Sequence, residues 1–317
     1  MIRKIKDLSN VSSVVVGPEG DDQRVDNYLL RYCKGIPRSH IYRILRTGEV
    51  RVNSRRVGAT HRLNEGDRVR IPPVRLPQNR AAQKPRARAV DFPVVLEDEA
   101  LLVLDKPAGI AVHGGSGVSF GVIESMRAAR PGLRFLELVH RLDRDTSGLL
   151  MLAKKRSALT RLHAALREGL VRKRYLALVK GEFGSSEKDV VLPLRKFLTS
   201  AGERRVSVHG EGREARTLFR THQALPGFTL LSAELRTGRT HQIRVHLAHL
   251  GFPIVGDEKY GDFEINRDLA KRGLKRMFLH AAELDLSHPA TGARLALRAP
   301  LPRELSVFVE GLKKRTD

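Results

Sequence analysis

The stretch 76–90, Leu-Pro-Gln-Asn-Arg-Ala-Ala-Gln-Lys-Pro-Arg-Ala-Arg-Ala-Val, does most to limit what this chain can fold into. Its apolar side chains are few, and Pro77 and Pro85 alternate with Arg80, Lys84, Arg86 and Arg88. Such a segment cannot fill a core or sustain a helix or strand, so it reads as a basic linker between a small unit and a large one. Residues 1–20 read as a mobile or lightly docked leader, 21–75 as the small unit, and 91–317 as the large one. The chain has 317 residues, 41% of them hydrophobic, enough for a sizeable core in a globular protein.

The small unit begins helical. Val25, Leu29 and Tyr32 are apolar at helix spacing, and Pro37 interrupts them. A second helix follows, with Ser39 as N-cap, Ile41, Ile44 and Leu45 as its buried stripe, and Gly48 at its end. Val50–Asn53 and Arg68–Ile71 then alternate apolar and polar, as half-buried strands do, with Arg55 and Arg56 in a turn between strands. In the large unit, short β-like runs (93–96, 101–104, 149–153, 175–179) alternate with helical stretches at 159–166 and 243–250.

Charge narrows the partner. The formal net charge is +23, and residues 1–90 hold 20 Lys/Arg against 8 Asp/Glu, about half of the surplus. A surface this basic repels itself unless a polyanion is its usual company. Between Arg31 and Arg62 nine Lys/Arg face a single acid, Glu49. Arg43 and Arg46 fall on one helix face, beside the apolar stripe. On charge alone, a phosphate-binding patch and a merely solvated basic face are close competitors. Cys33 is the only cysteine, which excludes an internal disulfide and suits a reducing compartment. The N-terminus lacks the apolar core of a signal peptide, and the run at 101–104 is cut by Asp105-Lys106-Pro107. A cytoplasmic protein with no membrane association is expected.

The order of elements adds to the charge. Arg-Val-Asp-Asn-Tyr-Leu-Leu, then Ser-His-Ile-Tyr-Arg-Ile-Leu-Arg-Thr-Gly-Glu-Val-Arg-Val-Asn, then Gly-Asp-Arg-Val-Arg-Ile, all within 24–72, resembles an S4 RNA-binding domain. The resemblance implies that Arg43, Arg46, Arg55 and Arg56 meet RNA; it implies no chemistry.

Chemistry enters with His140-Arg141-Leu142-Asp143-Arg144-Asp145-Thr146-Ser147-Gly148-Leu149-Leu150. Read from the residues alone, this is a polar loop opening into a strand, with Asp145 to Gly148 as turn formers. Asp143 between two arginines would then be a surface ion pair. The string as a whole resembles the signature of the RluA-type RNA pseudouridine synthases, whose nucleophilic aspartate maps onto Asp143. Lys173-Arg174-Tyr175-Leu176-Ala177-Leu178-Val179-Lys180-Gly181 is similar to the family's tyrosine motif, and implies that Tyr175 lies in the site. Leu235-Arg236-Thr237-Gly238-Arg239-Thr240-His241-Gln242-Ile243-Arg244-Val245-His246 is similar to its third motif, with Arg244 as partner of Asp143. Val112 to Gly117 and Phe120 to Glu124 resemble the subgroup that modifies large-subunit (23S) ribosomal RNA.

The resemblance implies an α+β protein: a small S4 domain, then a mixed α/β catalytic domain with a central, mainly antiparallel sheet. It implies a uridine drawn out of the RNA, with Arg141 filling the vacated place or holding a phosphate and His140 beside it. The isomerisation breaks a C–N bond and forms a C–C bond without redox change, so no cofactor, nucleotide or metal is expected. An ionised carboxylate can serve as the nucleophile, and Arg244 is expected to keep it charged in a water-poor pocket. Attack at ribose C1′, attack at the uracil ring and elimination remain open. Ribosomal RNA is the expected partner and a monomer the expected state.

Other signals carry less. His241, His246 and His249 mimic ligand spacing, but no cysteine or suitably spaced carboxylate accompanies them, so structural or RNA-contact roles are expected. Gly114 to Gly117 reads as a turn near the cleft, and Gly256-Asp257 as another turn. A non-catalytic RNA-binding protein would not need Asp143, Tyr175 and Arg244 in these contexts. An S4-linked methyltransferase needs a glycine-rich strand–helix turn, which is not found.

Overall fold

A computed structural model describes residues 10–33, 36–74, 89–115, 120–200 and 202–314. They fall into two compact units, one within residues 1–86 and the other within 87–317. Almost all of the stretch read as a linker lies outside the described residues.

In the first unit the helices Val25–Tyr32 and Arg38–Arg46 share a hydrophobic core with a four-stranded sheet. Val25, Leu29, Ile41, Ile44 and Leu45 occupy the inner faces that their spacing predicts, and all are buried. Asp26 is buried as well; its carboxylate accepts hydrogen bonds from Arg24 (2.7 Å) and from the Tyr42 hydroxyl (2.9 Å), which ties the two helices together.

Three local expectations change. The second helix is capped by Pro37 rather than Ser39, because proline's fixed φ suits the position just before a helix, and Ser39 falls in the first turn. Arg55 and Arg56 form a short strand paired with Arg51–Val52; the turn is Asn53-Ser54, both at positive φ as a tight hairpin requires. The leader expectation fails for its described part. Ser12–Val15 is a strand pairing antiparallel with Arg68–Ile71, and Val16 is buried. A strand of four residues is too short for its alternation to stand out in sequence.

The second unit is built on a ten-stranded sheet. Its main path runs Glu187–Val191, Arg216–Leu225, Phe228–Leu235, Arg172–Lys180, Leu279–Ser287, Ser147–Ala153, Leu101–Lys106, Val94–Glu97. Every pairing is antiparallel except one, where Ser147–Ala153 meets Leu279–Ser287. The protein is therefore α+β with a mainly antiparallel central sheet. Ser147–Ala153 is buried along its whole length: Leu150 and Leu152 face one core with the helix Val122–Ala129, while Leu149 and Met151 face another with the helix Arg156–Arg167. Burial on both faces explains why this strand reads as a continuous apolar run rather than an alternating one.

The parallel seam is only two pairs long, Ser147 with His280 and Gly148 with Ala281. Gly148 has φ of 106°, and a Cβ there would press on the Ala281 carbonyl oxygen and lie 2.7 Å from its amide nitrogen. Only glycine permits both the dihedral and the approach. Gly148→Ala is expected to cost more than about 3 kcal/mol of folding stability. At Gly169 (φ 73°), where a Cβ meets nothing within 4 Å, the same change should cost about 1 kcal/mol. Denaturant unfolding of the two variants side by side checks the difference.

Candidate active site

The seam places the chemistry. The loop preceding Ser147–Ala153 carries Arg141 to Thr146, and two cations pin it, one buried and one half-buried. Lys106, completely buried, donates its three ammonium hydrogens to the carbonyls of Pro107 (2.8 Å), Ile110 (2.8 Å) and Arg144 (3.1 Å). Burial, first of all, pushes its pKa down to about 8, against the raising influence of Asp145 and Asp143. Arg276 donates to the Ser147 hydroxyl (2.8 Å), and the Thr146 amide donates to the Asp143 carbonyl (3.2 Å), closing the turn. Along the sequence Lys106 marks only the end of an apolar run. The signal lay in a lysine within a strand otherwise apolar from residue 101 to 104.

Asp143 emerges from this loop with its side chain one-fifth exposed. One oxygen, Oδ2, accepts from Arg244 Nη1 at 3.0 Å. The other side of the same guanidinium is held by Asp257: Nε and Nη2 donate to its two oxygens at 2.7 and 2.8 Å. Arg244 also lies 5.1 Å over the Tyr260 ring. Burial alone would weaken its charge, but the two carboxylates outweigh that and raise its pKa. Burial would likewise raise Asp257, yet Arg244's hydrogen bonds and charge, with the amides of Lys259 and Tyr260, hold it below the ordinary range. Asp257, read from sequence as part of a turn, is thus the buried counter-ion that fixes Arg244. Nothing in its local string marks it, because the pairing spans 13 residues and a change of element.

The start of the helix Gln242–His249 is locked by Gln242. Its amide accepts from the Thr237 hydroxyl and the Arg239 amide, and donates to the Arg216 carbonyl and the Thr217 hydroxyl. His241, just before it, has φ of 54°, a left-handed conformation uncommon for a side-chain-bearing residue.

Asp143 lines two cavities. A cleft of about 1200 Å³ also includes Arg141, Arg144, Arg276, Lys275, His241 and Arg244 in its wall. A small pocket of about 60 Å³ joins Asp143 to Tyr175, Leu142, Arg141, His241 and Arg244. Tyr175 sits where the strand Arg172–Lys180 shifts register against its neighbour, a bulge that re-aims a side chain. Burial first, then the Asp143 charge, raises its hydroxyl pKa.

Asp143, Tyr175, Arg244 and Arg141 are therefore brought together. His140 is not: its Nε2 accepts from the Met151 amide (3.2 Å), and it lines neither cavity. Burial, then Lys173's charge, pushes its pKa down to about 3, and its ring supports the strand as a neutral acceptor. His246 is bonded on both ring nitrogens, to the Thr217 hydroxyl and the Leu192 carbonyl, a structural role. Among the described residues no cluster of three or more His, Cys, Asp or Glu could hold a metal, and no helix is long and apolar enough to cross a membrane. In the first unit Arg43, Arg46, Arg55 and Arg56 are exposed, and Arg43 is paired with Glu49 at 3.2 Å. A groove of about 750 Å³ beside them is walled by Arg51, Arg56, Arg68 and Arg70.

An S4 domain followed by a mainly antiparallel sheet, with a carboxylate–guanidinium pair at its seam, defines a class of RNA-modifying enzyme. Family models agree: residues 23–69 match the S4 domain, and residues 100–249 match RNA pseudouridylate synthase. The chain is 50% identical over 310 residues to ribosomal large subunit pseudouridine synthase C of Escherichia coli K12, covering 96% of this chain and 97% of that one. It is 49% identical to the Salmonella typhi protein of the same name, covering 96% and 98%. The human RNA pseudouridylate synthase domain containing 4 superposes with a TM-score of 0.57 at 25% identity, over 69% of this chain and 92% of that one. The chain belongs to the RNA pseudouridine synthase family and is an enzyme of that kind.

Asp257→Asn is expected to lower stability by about 3 kcal/mol at neutral pH, by leaving Arg244 with half its partners. Since Asp257's folded pKa lies below its ordinary 3.8, the wild-type advantage is present above that value and fades as pH falls through the folded one. Denaturant titrations of both proteins from pH 7 to about 2 should show the gap closing only below about pH 4.

Proposed function

We propose that the protein converts uridines of large-subunit (23S) ribosomal RNA to pseudouridine, with Asp143 as nucleophile. In the net reaction the C1′–N1 bond breaks, the C1′–C5 bond forms, C5 loses a proton and N1 gains one. The observation that carries this reading is the Asp143–Arg244 pair: one carboxylate oxygen is held at 3.0 Å while the side chain keeps an open side in the cleft. A carboxylate so held is oriented and accessible, as a nucleophile must be. A uridine can reach it only when drawn out of its stack, at a cost of a few kcal/mol. Tyr175 lines the small pocket that Asp143 also lines, which supports its meeting the extruded base; stacking on such a ring recovers about 1–3 kcal/mol. Arg141 stands exposed at the rim of both cavities, where the RNA it leaves would be.

The names of the relatives support large-subunit rRNA as substrate. The basic first unit supports binding by phosphate contacts, with Arg46, Arg55 and Arg56 as the leading contacts and Arg43 partly engaged by Glu49. We take the enzyme to act in the cytoplasm, as a monomer and without a cofactor.

Conversion in rRNA fragments is read by carbodiimide-dependent primer-extension stops. Wild-type protein should give stops at defined uridines. Asp143→Asn should lose at least about 10⁴-fold in rate with RNA affinity intact, and full activity in this variant would remove Asp143 from the role. Replacing Arg55 and Arg56 together by Ala should flatten the dependence of log affinity on log salt by up to about 2, measured by filter binding between low and moderate salt.

A further inference from the structure

The nucleophilic carboxylate has two oxygens, and Arg244 takes only Oδ2. Oδ1 faces His241, whose Nε2 lies 3.9 Å away. The ring's other nitrogen, Nδ1, is 2.9 Å from the Tyr260 hydroxyl oxygen. That oxygen already accepts a hydrogen bond from the Val206 amide at 3.0 Å. A phenol has one hydrogen to give, and where Tyr260 gives it to His241 Nδ1 the ring accepts there. The ring's own hydrogen is then on Nε2, the nitrogen turned toward Asp143.

We propose that His241 is a positioning residue for Asp143: a neutral imidazole, set in one tautomer by Tyr260, that presents Nε2–H to the oxygen Arg244 leaves free. The proposal rests on Asp143 being the nucleophile. Several observations converge on it. His241 lines both cavities that Asp143 lines. Its left-handed backbone is held by the Gln242 lock, an arrangement of the kind found where a side chain must be aimed. Tyr260 is itself fixed: its amide donates to Asp257 (3.1 Å), and its ring stands edge-on to His241 and under Arg244. Asp257 therefore organises both arms, Arg244 directly and His241 through Tyr260. The 3.9 Å gap is too long for a hydrogen bond, and contacts of this kind commonly shorten when substrate closes the site.

The charged groups facing His241 are Asp143 and Asp257, which favour its protonation, and Arg244 and Lys259, which oppose it. Burial opposes it most, and the balance keeps the ring below its ordinary pKa. A neutral donor orients the carboxylate without neutralising it; a second cation would bind it too tightly for attack.

Two substitutions separate aim from bulk. In His241→Gln the side-chain amide can stand where Nε2–H stood. In His241→Asn it reaches Tyr260 but not Asp143, and asparagine tolerates the left-handed backbone well. With full-length protein and an rRNA fragment under single turnover, His241→Asn should be slower by about 10- to 100-fold. His241→Gln should recover most of that rate, and RNA affinity should stay within about twofold in both. Independently of activity, imidazole ¹⁵N spectra of the free protein should show the Nε2–H tautomer. The titration midpoint of His241 should fall in Asp143→Asn, which removes the nearby anion. Equal rates for Asn and Gln, the Nδ1–H tautomer, or an unmoved midpoint would overturn the proposal. Loss of the midpoint shift leaves Asp143's role standing, whereas a normal shift with an active Asp143→Asn enzyme would refute the nucleophile instead.

Discussion

Arg244 is the group on which the site depends. Its guanidinium is nearly buried, and a buried charge survives only if its hydrogens are taken up. Asp257 takes two in a forked contact and Asp143 takes a third. The division of labour follows from exposure. Asp257, 1% exposed, is sealed and structural, while Asp143 keeps an open side. The first carboxylate makes the cation affordable in the interior; the second uses it. This is why an aspartate in a polar loop can hold a defined orientation beside an apolar core.

The sheet supplies the geometry for that pair. Asp143 precedes the strand Ser147–Ala153, Tyr175 lies on Arg172–Lys180, and the strand Leu279–Ser287 runs between them. The single parallel contact, two residue pairs long, brings the loop bearing Asp143 to the same end of the sheet as the bulge at Tyr175. Gly148 lets the backbones approach there, and Lys106 and Arg276 hold the loop by its carbonyls and by Ser147. Side chains held on rigid elements by bonded supports lose little entropy on meeting a ligand. Binding and chemistry also separate along the chain. About half of the surplus positive charge lies in the first 90 residues, and phosphate contacts of the kind proposed for that unit would add salt-sensitive affinity without reading the reacting base.

Local patterns determined a good deal by themselves. The helices Val25–Tyr32, Arg38–Arg46, Arg156–Arg167 and Gln242–His249, and the strands around 101–104, 149–153 and 175–179, were legible because apolar spacing depends only on near neighbours. Asp143, Tyr175 and Arg244 were legible as a set through their three strings, each a short contiguous signature. The basic face of the first unit was legible from charge. The strand Ser12–Val15 was not, because its identity comes from pairing with residues more than fifty positions away.

What only the tertiary structure decided is which of the remaining polar residues serve the site. His140 sits in the signature string yet lines neither cavity, its Nε2 taken up by the Met151 amide. Asp257, Tyr260, Lys106 and Arg276 lie outside any of the three strings yet surround Asp143. Sequence sets residue type and local period; Asp143 came forward only through the resemblance of its whole string to a family signature. Partner choice for a buried charge is settled by distance in three dimensions, and no spacing along the chain encodes it.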